Sequence, residues 1–364
     1  MINKLKKQLL VLMVLLGSFW LPLSSYAACS NPAKIPCVCE NYPTGYCIAT
    51  GNKKFTYYQI GKNLAEYVAP KAGINLMPVE GGSIMNVKKM RWQYGVKFAI
   101  VQSDVLEHFR ENAKNGNAKA TDLIRLLRVL LPLYKEEVHM LVRADSDMEY
   151  FHDIKDKSIA FVIGGSAMTG LALYQKMFGE DPLVKLLSSK QALRALIQDK
   201  TVDVVIMVAG QPTPMFAKLG EDAKQLFKLL KYDDTNEQEK RILQGPYYQT
   251  VIHKDSYKWL DQDSPTIAVK AFLITQIYTK SGTRRKIQSF IKSLCKNFST
   301  LQTKGHPKWK EVKLELSKLP GGWKYSQDVK IAFQSADCQA VASDAKSPHR
   351  TCATMTEMLL GLCD

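Results

Sequence analysis

The stretch Met77-Pro78-Val79-Glu80-Gly81-Gly82-Ser83-Ile84-Met85-Asn86 decides the fold class. A short apolar run ends in two glycines, and a serine then opens a segment with helical periodicity, which predicts a strand, a tight turn and a helix N-terminus. Such a terminus has unpaired backbone N–H groups and a partial positive charge, so it can hold a carboxylate or a phosphate. Serine is also a common N-cap residue, so a turn that only caps its helix is the alternative.

The same pattern returns further along the chain, in Phe161-Val162-Ile163-Gly164-Gly165-Ser166-Ala167-Met168-Thr169-Gly170. Apolar residues again end in Gly-Gly-Ser, and a helical pattern follows. Two such turns would suit the two sides of a ligand cleft.

Strand and helix patterns alternate between and around these turns. Such alternation predicts an α/β fold with a mostly parallel sheet flanked by helices. Helices are predicted around Tyr57–Tyr67, Ala167–Met177, Gln191–Asp199 and Ile287–Phe298, and a charged, mostly helical stretch over Ala217–Leu243. The predicted strands are Tyr46–Thr50, Ile74–Val79, Val96–Val101, Val138–Val142, Ser158–Ile163, Val202–Val208, Tyr247–Ile252 and Thr266–Thr275.

Ligands of open α/β sheets bind at the carboxyl ends of the strands. These ends are rich in glycine, hydroxyls, amides or tyrosine at Thr50–Tyr58, Glu80–Ser83, Gln102–Asp104, Gly164–Thr169 and Val208–Gln211. We therefore expect a binding cleft at these strand ends, without a set of catalytic side chains.

The chain begins with the order of a secretory signal peptide. Three lysines precede an apolar run from Leu9 to Trp20, and small residues follow as far as Ala28, so we assign residues 1–27 to a signal peptide. Cys29 raises the alternative of lipid attachment, although Tyr26 stands where lipoprotein signals have a small aliphatic residue. The mature chain is expected to be soluble and periplasmic.

Eight cysteines lie in the mature part: Cys29, Cys37, Cys39, Cys47, Cys295, Cys338, Cys352 and Cys363. An even number in an oxidising compartment predicts disulfides, which would join the termini to themselves, to each other or to Cys295. The Cys37-Val38-Cys39 spacing is not that of a zinc site, and no Cys-x-x-Cys redox pair occurs. We expect no metal and no cofactor.

The net charge is strongly positive, at +16, and about +13 without the three lysines of the signal peptide. Basic residues alternate with acids in stretches such as Lys224–Lys240, and no basic stripe studded with aromatic residues is present. Nucleic-acid binding is therefore not expected.

Catalytic patterns are also missing from the sequence. Ser83 and Ser166 follow glycines, but Met85 and Met168 stand where Gly-x-Ser-x-Gly requires glycine. Neither a phosphate loop nor a dinucleotide fingerprint occurs. Glu80 and Asp104 could form an acid pair, but we interpret Asp104 as a first-turn helix residue and Glu80 as a rim or amine-binding group. The sequence predicts a protein that is not an enzyme.

Several motifs together resemble the solute-binding subunits of the TAXI branch of TRAP transporters. The motifs run in the family's order over residues 46–326: Thr56-Tyr57-Tyr58-Gln59-Ile60-Gly61, Glu80-Gly81-Gly82-Ser83 with Asn86, Ala99-Ile100-Val101-Gln102-Ser103-Asp104, Val138–Ser146, Val208-Ala209-Gly210, Pro265–Val269 and His306-Pro307. The resemblance implies a two-lobed type 2 periplasmic-binding fold. It also implies a glutamate- or glutamine-like ligand in the cleft between the lobes. The expected partner is an ion-driven membrane permease, and the protein itself is expected to be a monomer.

The resemblance also implies domain boundaries and site residues. Lobe one would comprise residues 46–136 and 247–330 and lobe two residues 137–246, between a cysteine-rich extension (28–45) and a tail (331–364). The crossovers would lie near Lys135–Val138 and Gly245–Tyr248. The implied ligand-binding residues are Thr56, Tyr57, Tyr58, Gly82, Ser83, Gln102, Ser103, Asp104, Ser166, Thr169, Ala209 and Gly210. Tyr57 and Tyr58 would line the cleft. Hydrogen bonds to the ligand would be donated by the hydroxyls of Ser83, Ser103 and Thr169, and Gln102 would orient an amide or amine group of the ligand.

Three features depart from the family pattern. Lys53-Lys54-Phe55 replaces a glycine-rich loop, Ala167-Met168 places bulkier groups after the second turn, and the cysteine-bearing termini have no counterpart. Because of the first two departures, the resemblance does not determine the identity of the ligand. A binding protein without a transport role, acting as a sensor, scavenger or secreted factor, is the alternative function.

Overall fold

The computed structural model describes residues 45–339. The predicted signal peptide, nearly all of the N-terminal extension and most of the C-terminal tail lie outside this range. The described residues form ten strands: β1 Tyr46–Ala49, β2 Leu76–Val79, β3 Val96–Gln102, β4 Leu127–Arg143, β5 Ile159–Val162, β6 Val184–Leu187, β7 Val204–Ala209, β8 Phe227–Leu229, β9 Tyr248–Ile252 and β10 Ser264–Gln276.

The helices flank these strands in the described part of the chain. They are α1 Thr56–Asn63, α2 Ser83–Trp92, α3 Ser103–Lys114, α4 Ala118–Ile124, α5 Gly165–Phe178, α6 Ser189–Ile197, α7 Pro214–Ala217, α8 Glu237–Lys240, α9 Ser281–Lys296, α10 Phe298–Lys304 and α11 Gln327–Phe333. A π-helical turn, Leu64–Val68, extends α1. The 3₁₀ turns are Pro70–Ala72, Phe151–Ile154, Glu221–Gln225, Arg241–Gln244, Lys254–Ser256, Pro307–Glu311 and Pro320–Gly322. Within residues 45–339 no helix has the length and apolarity that a membrane span requires.

All ten strands form one sheet, in the order β2-β1-β3-β10-β4-β7-β5-β6, with β8 paired to β4 and β9 to β10. The outer strands β2, β1 and β3 are parallel, as are β6, β5 and β7. The central pairs β3–β10, β10–β4 and β4–β7 are antiparallel. The predicted α/β class is confirmed, but the sheet is mixed, because two long strands run through its middle.

These two strands are longer than the sequence predicted. Val138–Val142 is only the end of β4, which has 17 residues, and β10 has 13 residues. Their ladder shifts register between Lys270 and Phe272, opposite Pro132. Proline has no N–H to donate, so the ladder is interrupted close to the middle of both strands.

The hydrophobic core is divided between the two ends of the sheet. We call β1–β3 with α1–α4 and α9–α11 the first half, and β5–β9 with α5–α8 the second half. Phe98 and Phe290 stack in the first half with ring centroids 4.4 Å apart, and Phe216 packs against Trp259 in the second, at 5.8 Å. The predicted inner face of α9 is buried as expected, at Ile287, Phe290, Ile291 and Leu294.

The lobe boundaries stay predictions, and the packing supports a revision of one of them. Ile252, Tyr257 and Trp259 belong to one core cluster of the second half. Ile267 and Val269 belong to another core cluster of that same half. Phe272 and Ile274 belong to the first half. We therefore place the second crossover within β10 near Lys270 rather than at Gly245–Tyr248.

Two strands were missed by the sequence analysis. Phe227–Leu229 forms β8 inside the stretch predicted to be mostly helical, and Val184–Leu187 forms the edge strand β6. Neither has more than four residues, and β6 is largely exposed, so neither produces a burial pattern that the sequence could reveal.

One disulfide can be described completely. Cys295 on α9 is bonded to Cys338, 43 residues later, which is one of the expected pairings of the tail with Cys295. Cys47 is also disulfide-bonded. The predictions for Cys29, Cys37, Cys39, Cys352 and Cys363 lie outside the described residues.

Candidate functional site

The two Gly-Gly-Ser turns face each other between the halves. A Cβ atom on Gly82 would lie 3.8 Å from Cα of Gly164, and one on Gly165 would lie 1.7 Å from Oε1 of Gln102. Gly164 has φ +120°, a conformation that side chains with a Cβ rarely adopt. Glycine is therefore favoured at 164 by conformation, and a Cβ at 165 would force the side chain of Gln102 to shift.

A small cavity of about 100 Å³ lies between the two turns. Of the predicted site residues, seven line it: Thr56, Tyr57, Gly82, Ser83, Gln102, Ser166 and Ala209. Residues that were not predicted also line it, among them Phe55, Glu136, Val162 and Met207. Tyr58, Ser103, Asp104, Thr169 and Gly210 are not part of this lining.

Glu136 is the most consequential residue that the sequence analysis missed. Its side chain is buried on β4, and the hydroxyl of Tyr57 donates a hydrogen bond to its Oε2 over 2.7 Å. Burial, followed by the charges of Asp104 and Glu137, raises the pKa of Glu136 to about 8, against the lowering effects of Tyr57 and Lys308. At neutral pH this carboxyl group is therefore mostly protonated. The available signal was Lys135-Glu136-Glu137, a charged run inside an apolar strand.

A hydrogen-bonded chain connects Glu136 to the first turn. The hydroxyls of Tyr57 and Ser83 lie 3.3 Å apart, and Ser83 Oγ accepts from the backbone N–H of Gln102 over 3.1 Å. Among the described residues, Oε1 of Gln102 has no hydrogen-bond partner, although it is buried. A buried acceptor without a partner is costly, and a ligand that donates a hydrogen bond could satisfy it.

Two hydroxyls that were predicted to donate to the ligand make hydrogen bonds within the protein, that of Thr169 as the donor and that of Ser103 only as an acceptor. Thr169 Oγ1 donates to Oδ2 of Asp104 over 2.6 Å, and Ser103 Oγ accepts from the backbone N–H of Lys270 over 3.2 Å. Asp104 lies in the first turn of α3, as predicted. Burial raises its pKa to about 6, although the hydrogen bond from Thr169 acts in the opposite direction.

The halves are joined by direct contacts around the cavity. Besides the bond between Thr169 and Asp104, Thr56 Oγ1 donates to the carbonyl of Gly210 over 2.7 Å. A Cβ on Gly210 would lie 2.9 Å from the ring of Tyr134, so this turn also packs tightly. The two halves are therefore in direct contact beside the cavity.

The cavity combines two kinds of electrostatic environment. Helices α2 and α5 both begin at its wall, and their N-terminal amides favour negative charge. Glu136 and the free Oε1 of Gln102 favour a donor or a positive charge instead. Ser83 and Ser166 have no histidine partner within residues 45–339; Ser166 Oγ accepts from Val208 N over 3.0 Å. The arrangement can bind a polar solute but offers no activated nucleophile.

Several solved structures are similar to the chain at low identity. The arginine-, lysine-, histidine-binding protein ArtJ from Geobacillus stearothermophilus has 15% identity and a TM-score of 0.43, covering 76% of this chain and 97% of its own. The GluR0 ligand-binding core from Nostoc punctiforme, in complex with L-glutamate, has 15% identity and a TM-score of 0.40, covering 72% and 99%. An ArgBP mutant from T. maritima has 13% identity and a TM-score of 0.42, covering 73% and 96%.

A comparison with family models gives a more extensive match. The model of the NMT1-like family matches residues 48–321. The match spans 274 of the 364 residues and includes both Gly-Gly-Ser turns, Glu136 and both long strands. The chain therefore belongs to the NMT1-like family.

Proposed function

We propose that the chain is an exported, periplasmic solute-binding protein that holds a small carboxylate or amino acid in the cleft and delivers it to a TRAP-type permease. The observation that carries the proposal is the cavity between the helix N-termini of α2 and α5, with Glu136 in its wall. The resemblance to TAXI subunits supports the transport role and a glutamate- or glutamine-like ligand.

An amino acid fits the two environments better than a simple carboxylate does. Its carboxylate would receive N–H groups around Gly82 and Ser166, where the helix ends favour negative charge. Its ammonium would lie near Glu136 and Oε1 of Gln102. A ligand with this charge separation would stabilise the closed form in proportion to its greater affinity for that form.

Calorimetric titration with glycine, glutamate, glutamine and C4–C5 dicarboxylates tests the proposal. An ammonium beside Glu136 would lower the pKa of this carboxyl group, so that binding at pH 7 releases a proton. The observed heat would then depend on the ionisation enthalpy of the buffer, whereas a simple carboxylate would give no release. Absence of heat for every ligand, with folded protein, would contradict the proposal.

The permease partnership needs a separate test. A membrane permease encoded next to this gene, and solute uptake that requires both proteins, would support transport. Uptake of the identified ligand that is unchanged after deletion of the gene would favour the sensor or scavenger alternative.

A further inference from the structure

Lys308 is a buried lysine that does not line the cavity. It lies in the 3₁₀ turn Pro307–Glu311, and its side chain is 1% exposed. Its ammonium donates to Oε1 of Glu137 over 2.5 Å and to Oε1 of Glu311 over 2.6 Å. Lysine is almost never buried to this extent unless it is paired, and a buried ion pair is often no more stabilising than apolar residues of similar size. Stability alone therefore does not explain the pair.

Glu137 connects Lys308 to the second half. Its Oε2 accepts a hydrogen bond from the backbone N–H of Gln211 over 2.8 Å. Gln211 lies in the segment 210–212, which directly follows the cavity-lining end of β7. A Cβ atom on Gly210 would lie 3.1 Å from Cε of Lys308, so the lysine side chain also packs against this segment. Lys308 therefore contacts the segment both directly and through Glu137.

The segment 306–311, which we call the bridging segment, is anchored to α1. Asn63, the last residue of α1, accepts through Oδ1 from the backbone N–H of His306 over 2.9 Å. The same oxygen accepts from the indole N–H of Trp309 over 3.1 Å, and Trp309 is fully buried in the core of the first half. The bridging segment is therefore tied to the helix that carries Tyr57 into the cavity wall.

Two more hydrogen bonds tie the segment 210–212 to the first half. Its first carbonyl accepts from Thr56, as described above. Its last carbonyl, that of Pro212, lies 3.3 Å from Nε2 of His306. Nδ1 of His306 accepts a backbone N–H, so in the neutral ring Nε2 carries the proton and donates it to this carbonyl. Each of the three residues is thus bonded to the first half or to β4.

The carboxyl group that Lys308 contacts is next to the one in the cavity. Glu136 and Glu137 are neighbours on β4, so their side chains point to opposite faces of the sheet. Glu136 lines the cavity, whereas Glu137 receives Lys308 on the other face. Burial raises the pKa of both carboxyl groups, and the positive charge of Lys308 acts in the opposite direction on each.

We infer that Lys308 is a positioning residue for ligand binding: through Glu137 it holds the segment 210–212, and with it the second-half wall of the cavity, against α1. This inference rests on the proposed function, because it concerns binding at the same site. Loss of the ammonium would leave Glu137 buried without its cation, and the acceptor of the Gln211 amide would no longer be fixed.

The first test is calorimetric titration of Lys308→Met with L-glutamate and L-glutamine. Methionine keeps the apolar part of the side chain and removes the charge. Lys310→Met is the matched control, because Lys310 lies in the same turn and is exposed. We expect Lys308→Met to weaken binding by about tenfold, the lower end of what loss of an orienting group costs at metal sites. Lys310→Met should leave the affinity unchanged.

Hydrogen exchange separates positioning from a general loss of stability. In Lys308→Met the amide of Gln211 should exchange about tenfold faster relative to the amides of α9, the effect of losing one hydrogen bond. A residue that only stabilises the fold would accelerate exchange at all these amides alike. If Lys308→Met does not fold, Glu137→Gln combined with Lys308→Met replaces it, because this variant leaves neither member of the pair charged.

The outcomes distinguish this inference from the proposed function. Unchanged affinity in folded Lys308→Met, or uniform acceleration of exchange, would overturn the positioning role while solute binding stands. If the wild type gives no heat with these ligands or with any other amino acid or dicarboxylate, the proposed function fails, and the binding role of Lys308 fails with it.

Discussion

Glu136→Gln should remove the pH dependence that this buried acid imposes on stability. The pKa of Glu136 is raised from 4.5 to about 8 in the folded chain. Between these values the native state keeps a proton that the unfolded state has released. The unfolding free energy therefore falls as pH rises through this window, because the native state binds more protons.

The magnitude follows from the same two pKa values. At about 1.4 kcal/mol for each pH unit, the interval from 4.5 to about 8 gives an upper limit of about 5 kcal/mol lost by pH 9. Glutamine has the shape of the protonated acid and can still accept the hydrogen bond from Tyr57. The variant should therefore match the wild type at pH 5 and exceed its stability by several kcal/mol at pH 9.

Urea unfolding at pH 5, 7 and 9, followed by tryptophan fluorescence, measures these differences. Glu180→Gln, which removes an exposed carboxylate, controls for the change in net charge. If Glu136→Gln and the wild type lose stability in parallel from pH 5 to pH 9, the buried acid is not the origin of the dependence and the reasoning fails.

Three further predictions concern the turns and the scaffold. Gly165→Ala should weaken ligand binding in calorimetry, because its Cβ would displace the Gln102 amide from the cavity wall. Gly82→Ala should retain binding, because its Cβ meets only one atom, at 3.8 Å; equal effects of the two changes would contradict the role of the Gln102 amide. Cys338→Ser should cost about 4 kcal/mol in urea unfolding, as expected for a disulfide that closes a loop of 43 residues, and a loss below about 1 kcal/mol would refute this. Asn86→Ala should cost about 2–3 kcal/mol, because its amide donates to two buried carbonyls, each over 2.8 Å; unchanged urea midpoints would count against that role.

Local patterns made the scaffold of the site predictable. Strand, glycine pair and helix follow within ten residues at both Gly82 and Gly164, so periodicity and turn chemistry were sufficient to predict them. The buried face of α9 was predictable for the same reason.

Contacts between distant residues could not be predicted in this way. Glu136 accepts a hydrogen bond from Tyr57, which is 79 positions away in the sequence. Thr169 donates a hydrogen bond to Asp104, which is 65 positions away. A single sequence shows a charged residue in a strand or a hydroxyl in a helix, but not its partner. The continuous length of β4 was missed because Pro132 and the polar run after Tyr134 interrupt the apolar pattern.

The two long strands have a consequence for how the chain unfolds. The first half is made of two separate pieces of the sequence, and both halves share β4 and β10. Melting of one half would remove hydrogen-bonded neighbours from the strands on which the other half is built. We therefore expect the described part of the chain to unfold in one cooperative transition. A substitution that destabilises either half would then lower the unfolding free energy of both.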